Sequence, residues 1–425
     1  MRLFLSVILV GTALLFLSLP AGAVCSGDEF QVNTYTTLYQ WYSAIAMDAD
    51  GDFVVVWTSY GQDGDGDGIF AQRFNSACTP VGSEFQVNTV ATDDQRLPGV
   101  AMNANGDFVI VWTTWDFANL TSDVYARRYD ASGTPQGTEF RVNTFTLGLQ
   151  YSPAVAVDAD GNFVVVWNSD QDGGWYGIFA QRYDASGTPQ GDEFQVNTYT
   201  FEVQVEPAVA MGADGRFVVV WQSFGQDGYG YGIFGQRYAA DGLPQGGEFQ
   251  VNTYPANDQD SPAVAMGADG RFVVAWQSYG QDGSEYGVFA QRFAADGLPQ
   301  GGEFRVNTFK AGNQGYPPAI AIDAAGDFVV AWSSQGQDGD GYGVFARRFH
   351  ADGTPQGSEF QVNTYTTESQ TAGCVAMNPV GELVAVWGSW GQDGSYAGVF
   401  GRGFPASSTV IVGKAGTGTD LAPVP

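Results

Sequence analysis

Residues 63–68 read Asp-Gly-Asp-Gly-Asp-Gly, which places the carboxylates of Asp63, Asp65 and Asp67 on alternate positions of a sharply bending backbone. Hard oxygen ligands on a glycine-rich bend suit Ca²⁺, and these three side chains are its expected ligands. The run is not an EF-hand, because such a loop needs Glu at its twelfth position and Phe74 stands there. A solvated acidic turn without an ion is the alternative. Parts of the pattern return as Asp338-Gly-Asp340-Gly and Asp227-Gly-Tyr-Gly.

A Gln-Asp-Gly loop recurs along the chain, at Asp63, Asp172, Asp227, Asp282, Asp338 and Asp393, with Trp115-Asp116-Phe117 in its place once. A second variable loop carries a repeated glutamine, Gln40, Gln95, Gln150, Gln204, Gln259, Gln314 and Gln370, with Trp41 and Tyr42 beside the first of them. Together with Trp175, these loops gather amides, carboxylates and aromatic rings. Loops on a rigid scaffold are where binding resides, so Gln40, Trp41, Tyr42, Trp115, Asp116, Asp172, Trp175, Asp227, Asp282, Asp338 and Asp393 are the expected ligand-binding residues.

Other chemistries are excluded by composition. A single histidine, His350, leaves Ser-His and Cys-His catalysis almost no footing. A formal charge of −29 argues against a nucleic-acid partner, which needs a basic patch. Glycoside cleavage by carboxylates needs an asymmetric pair of acids in one cleft. The acids and aromatics that break the repeat pattern (Trp115-Asp116, Glu202, Glu206, Glu285 and Glu368) are scattered in sequence and name no pair. The expectation is therefore a non-enzymatic binding scaffold, lectin-like, recognising a surface glycan or a cell-surface protein. A protein-interaction or structural module is the first alternative, and a carboxylate-dependent glycosidase or lyase the second.

The elements that must position these loops come from a repeat. Glu-Phe-Gln/Arg-Val-Asn-Thr begins at residues 29, 84, 139, 193, 248, 303 and 359, seven copies at a period of 54 to 56 residues. Each unit reads as four short strands: an Ala-Val-Ala-Met type, a Val-rich one ending in Trp, an Arg-aromatic one, and the Phe-Gln-Val-Asn one. Turn residues such as Ala-Asp-Gly separate them, and no helical periodicity follows residue 23. Seven four-stranded units predict an all-β, seven-bladed β-propeller over residues 24–405. The first Phe-Gln-Val-Asn strand precedes the first core and the seventh core (375–404) lacks one, so the N-terminal strand must complete blade seven. The 58 glycines thus punctuate hairpins and do not mark low complexity.

The order Asp50-Gly51, Phe53 to Trp57, Arg73-Phe74, repeated through residues 29–404, resembles the repeats of secreted bacterial propeller-like proteins, including the delta-60 type. The resemblance implies the propeller fold and no particular activity. The sialidase Asp-box is not matched, since Asp and Gly are adjacent here.

Residues present in every unit are expected to serve the scaffold. Trp57, Trp112, Trp167, Trp221, Trp276, Trp332 and Trp387 should pack between blades, and Arg73, Arg128, Arg182, Arg237, Arg292, Arg348 and Arg402 should pair with the Glu29 series. Asn33 and its equivalents should close turns at strand ends. Residues 1–23 read as an export signal: Met1-Arg2, an apolar run from Leu3 to Leu19, and small residues through Ala23. An extracellular or periplasmic location follows, with no membrane span after cleavage. Cys25 and Cys78 both precede outer strands that ring closure makes neighbours, and a bridge there would latch the ring if their Cα atoms lie within about 7 Å. Cys374 reads as a small buried hydrophobe, and residues 406–425 as a flexible tail.

Overall fold

The computed structural model describes residues 27–173, 175–315 and 317–406. The expected export signal, Cys25 and the expected tail beyond residue 406 lie outside them. Seven four-stranded antiparallel sheets form the described chain, with no helix among the described residues. Blade one comprises Gln40–Met47, Phe53–Tyr60, Asp67–Phe74 and Pro80–Gln86, from the axis outward. Blade seven comprises Gln370–Met377, Leu383–Trp390, Ala397–Phe404 and, outermost, the N-terminal strand Phe30–Gln31. The closing register is Phe30 opposite Gly401 and Gln31 opposite Phe400, as the order of the repeats requires.

The second strand of each blade is apolar on both sides because it is covered by a blade on each face. Val54, Val55, Val56 and Trp57 have no exposed surface, and the seven tryptophans are buried throughout. Trp57 packs against Val384, Val386 and Val399 of blade seven, so the ring of tryptophans is the inter-blade core. The hairpin turns are Asx turns: Asp48 accepts from the amides of Asp50 and Asp52, each at 2.9 Å. Gly215 sits in the corresponding turn of blade four at φ +79°, where a Cβ would be strained.

Polar clamps join the blades, and they are not the expected ones. Each Glu of the repeat accepts from the Thr amide of the preceding blade and, except for Glu139, whose blade lacks the Gln-Asp loop, from the Gln of its own loop: Glu193 accepts from Gln171 at 2.7 Å and from Thr144 N at 2.7 Å. Glu29 does the same at the closing seam with Gln392 (2.8 Å) and Thr364. With the glutamates so engaged, the arginines turn to backbone carbonyls of the next blade, as Arg128 to Ala185 O (2.6 Å) and Arg292 to Ala351 O (2.9 Å). Arg402 does not belong to that series. It pairs with Ala385, the position of Arg347 opposite Val330, and Gly403 occupies the clamp position. The seam lacking an arginine clamp carries Cys78, which is disulfide-bonded; its expected partner, Cys25, is outside the described residues. Cys374 is a free thiol on the axial wall, and burial pushes its pKa up to about 11.

The innermost strands are bulged. In blade four Val205 pairs with Gln222 and Ala208 with Val220, so Glu206 and Pro207 together face Trp221. The bulge residue adopts a left-handed conformation in five blades: Tyr42 (φ 50°), Leu97 (55°), Ser152 (52°), Glu206 (57°) and Ser261 (52°). That backbone costs about 1–2 kcal/mol for an L-residue, against about 0.5–1 for the added entropy of a glycine. Ser152→Gly should therefore raise stability by up to about 1 kcal/mol in denaturant titration. Ser152→Ala, which keeps the Cβ, should gain nothing.

Candidate functional site

The bulges aim the residue before each axial proline into the ring, and that is how the site is assembled. The axial cavity, about 290 Å³, is lined by Tyr42, Ser43, Leu97, Ser152, Glu206, Pro318 and Cys374 among others. Glu206 occupies the position filled by Ser152 and Ser261 in the flanking blades. Asp260 stands one residue earlier in the next blade, on the innermost strand adjacent to that of Glu206. The two carboxylates interact: the charge on Glu206 is among the causes that raise Asp260.

Their environments set them apart. Loss of water is the first cause for Asp260, whose pKa is raised to about 6 despite hydrogen bonds from Gln277 and Tyr286. The Tyr286 hydroxyl donates to Asp260 Oδ2 at 3.3 Å, while Asp260 Oδ1 is buried without a partner. Glu206 is also raised by desolvation, and Asp260 is not among its causes. Its side chain is open to the axial cavity although protein surrounds it on all sides. Water in the cavity can still reach it. Desolvation, with a smaller contribution from the charges of Asp258 and Glu206, holds the proton on Asp260 up to about pH 6. A carboxylic acid that keeps its proton near a second carboxyl is an arrangement that acid–base chemistry can use.

Tyrosines lie near the pair. Tyr151 lies at a tilt to Trp115 (5.9 Å between centroids) and meets Tyr176 edge-on (5.4 Å). Burial raises the Tyr151 hydroxyl first, with Tyr176 and Glu206 adding to the shift. Burial also raises Tyr231, followed by the charges of Asp258, Asp260 and Glu206. Gln222 and Gln277 reach Ser261, the former accepting from its amide at 2.8 Å and the latter donating to its Oγ at 3.1 Å. The bulge between the two acids is thus fixed from both neighbouring strands.

The expected ligand residues divide. Tyr42 lines the axial cavity with Trp41 beside it, and Trp115 lies against Tyr151. Gln40 is wholly buried: its Oε1 accepts from Asn33 at 3.2 Å and its amide donates to Thr37 O at 2.9 Å. The asparagines do more than close turns, since Asn197 Oδ1 also accepts from the amide of Ile178 at 2.7 Å, extending the strand pairing. The loop aspartates tie their loops to their own outer strands: Asp172 to Gln195 (3.3 Å), Asp227 to Gln250 (3.4 Å), Asp338 to Asn363 (3.1 Å), and Asp282 lies 3.9 Å from Arg305. Asp393 accepts from Ser395 N at 3.0 Å. Asp116 bonds Asn119, which lowers its pKa. Trp175 is two-thirds exposed on its loop.

The Asp63, Asp65 and Asp67 set is separated as well. Asp63 faces Gln86 and Asn88, each at 3.4 Å, whereas Asp67 is buried against Arg96, which also bonds Asp94 at 2.5 Å. No group of three or more His, Cys, Asp or Glu gathers as metal ligands among the described residues. A calcium ion at this loop would have to draw Asp67 away from Arg96.

No protein-family model matches the sequence, and no curated protein matches it. Solved structures do. A protein of unknown function from Dyadobacter fermentans superposes with TM-score 0.54 at 11% identity, over 89% of this chain and 98% of that one. The α-L-arabinanase of Penicillium chrysogenum, solved with arabinobiose, gives 0.50 at 14%, over 75% and 98%. The α-L-arabinofuranosidase of Fusarium graminearum, also with arabinobiose, gives 0.50 at 10%, over 89% and 98%. At these identities the likeness establishes the propeller fold alone. The expectation of a non-enzymatic scaffold is corrected all the same. It rested on the want of an acid pair, which Glu206 and Asp260 supply, and propellers of this shape include glycoside-cleaving enzymes.

Proposed function

We propose that the chain is a glycoside hydrolase of neutral polysaccharides, with Glu206 and Asp260 as its acid–base pair. The observation that carries the reading is two desolvated acids on neighbouring innermost strands, Glu206 lining the axial cavity and Asp260 keeping its proton up to about pH 6. Asp260 gives its proton to the glycosidic oxygen as the C–O bond breaks. The Glu206 carboxylate attacks the anomeric carbon or takes a proton from the attacking water, and water completes both products. The anomeric configuration of the first product, read by NMR, separates these two routes. Gln277 and Tyr286 orient Asp260, and the surrounding tyrosines and Trp115 offer faces and hydroxyls to a sugar.

The delta-60-like repeat layout and the N-terminal export signal add a secreted, bacterial setting to the proposal, outside the cell or in the periplasm. The test is release of reducing ends from arabinan, xylan, galactan and β-glucan between pH 4 and 7. Hydrolysis of one of them is expected. Inertness toward all of them sinks the reading.

A further inference from the structure

One seam of the ring differs from the other six in its aromatic content. Tyr42, on the wall of the axial cavity, lies 5.3 Å from Trp41, which stacks at 5.3 Å on Tyr39. Tyr39 in turn stacks on Tyr396 of blade seven at 4.8 Å and meets Trp390 edge-on at 5.8 Å. The rings form one row, from the cavity that holds Glu206 to the loop rim of blade seven. Tyr42, Trp390 and Tyr396 are 48%, 39% and 54% exposed, so the row presents faces to solvent. The positions equivalent to Trp41 are Arg96, Tyr151, Val205, Asp260, Gly315 and Thr371, so only Tyr151, which meets Trp115 and Tyr176, begins a comparable row.

Polar atoms along the row lack partners. Ser43 Oγ lines the axial cavity, is buried to within 7% and has no hydrogen-bond partner. The Trp41 indole N–H is also buried and unpartnered. Stacking faces interleaved with waiting donors and acceptors match a sugar chain, whose rings carry apolar faces and hydroxyl edges. Charge narrows the class. Asp65, Asp93, Asp94 and Asp116 crowd one side of the mouth, where burial and then the other three charges raise Asp93. Asp258, Asp260 and Glu206 occupy another side, and Arg96 is already bound to Asp67 and Asp94. A polyanionic chain would meet only repulsion.

We propose that the Tyr42–Trp41–Tyr39–Tyr396 row, with Trp390, is a platform for successive rings of a neutral polysaccharide whose scissile bond lies over Glu206 and Asp260. This rests on the glycosidase reading and adds chain length and charge to it. The experiment uses the full chain carrying Glu206→Gln, so that ligands are bound uncut, with and without Trp41→Ala and Tyr396→Ala. Titration calorimetry follows arabinan, xylan, galactan and β-glucan, with arabinobiose as the short ligand and polygalacturonate as the charged one.

Polymer affinity is expected to fall at least tenfold when the row is truncated, with arabinobiose affinity changed less than twofold and polygalacturonate unbound. Trp41→Phe should restore most of the polymer affinity, and unchanged circular dichroism spectra exclude misfolding. Equal losses for polymer and disaccharide, polymer binding indifferent to the row, or no binding of any neutral polymer overturns the platform. Row-dependent polymer binding by a wild-type chain that cleaves nothing supports the platform and sinks the catalytic reading alone.

Discussion

Glu206→Gln and Asp260→Asn each lower kcat/KM on the cleaved polysaccharide by about 10²–10⁴-fold, the usual contribution of a positioned acid or base. The losses differ in their dependence on the leaving group. Asp260→Asn should be partly relieved on an aryl glycoside that departs without protonation, whereas Glu206→Gln should not. The pH profile follows from the same pair. Asp260 must carry its proton and its pKa is about 6, so kcat/KM falls as pH rises through about 6. Glu206 must be ionised, so kcat/KM also falls on the acid side as its carboxyl takes up a proton. An alkaline limb that persists in Asp260→Asn would assign the proton elsewhere.

Asp260 also has a thermodynamic signature. Its pKa is raised on folding, so the native state binds the proton more tightly than the unfolded chain does. The stability this confers is complete below the unfolded carboxylate value, about 3.9, and is lost as pH rises through about 6. Asp260→Asn removes that dependence. The variant should melt higher than wild type at pH 7 and differ little at pH 4, gaining stability where it loses activity.

Trp57→Ala costs about 3–5 kcal/mol, the largest single-site loss of stability expected in the ring. The side chain has no exposed surface and fills the seam between blades seven and one, against Val32, Val384, Val386 and Val399. A void there has blade on both sides and cannot collapse without opening the ring. Its indole N–H has no hydrogen-bond partner, so Trp57→Phe forfeits packing but no polar contact. Thermal denaturation should place Trp57→Phe nearer wild type than Trp57→Ala. Equal losses would mean that the N–H, not the ring, secures the seam.

The scaffold was legible in the sequence because each of its parts is written seven times. The period, the Val-rich strands ending in Trp and the displaced Phe30–Gln31 strand each point to the same closed ring. The clamps were less legible, since hydrogen-bond partners depend on which strand is the neighbour. The Arg402 misalignment came from matching arginines by residue type when Gly403 holds the position. The acid pair was hidden for a different reason. Glu206 and Asp260 are not equivalent repeat positions, and only the bulge brings a residue at one register beside a residue at another. The available signal was the triplet Val205-Glu206-Pro207, where neighbouring blades have Tyr-Ser-Pro and Asp-Ser-Pro. Trp41 and Tyr42 drew attention because the sequence around the repeated glutamine varies freely, whereas Gln40 itself is a buried clamp, which looks like a loop ligand in sequence.

The displaced outer strand has a consequence for the order of assembly. Phe30 is made before the first blade core and its partner Gly401 in the seventh, so the first strand waits unpaired through the synthesis of the six blades between them. Spanning ~370 residues, where the equivalent pairing in another blade spans ~14, adds only about 3 kcal/mol of closure entropy, because that cost grows with the logarithm of length. Equilibrium therefore tolerates the late hem easily; the hazard is one of timing. Until it is sewn, the nascent chain carries a bare Ala397–Phe404 edge able to recruit the Phe-Gln-Val-Asn strand of another copy. Strand exchange between chains, with one molecule's first strand completing another's last blade, is the natural misassembly of this ring, and it should grow with the concentration of chains awaiting closure.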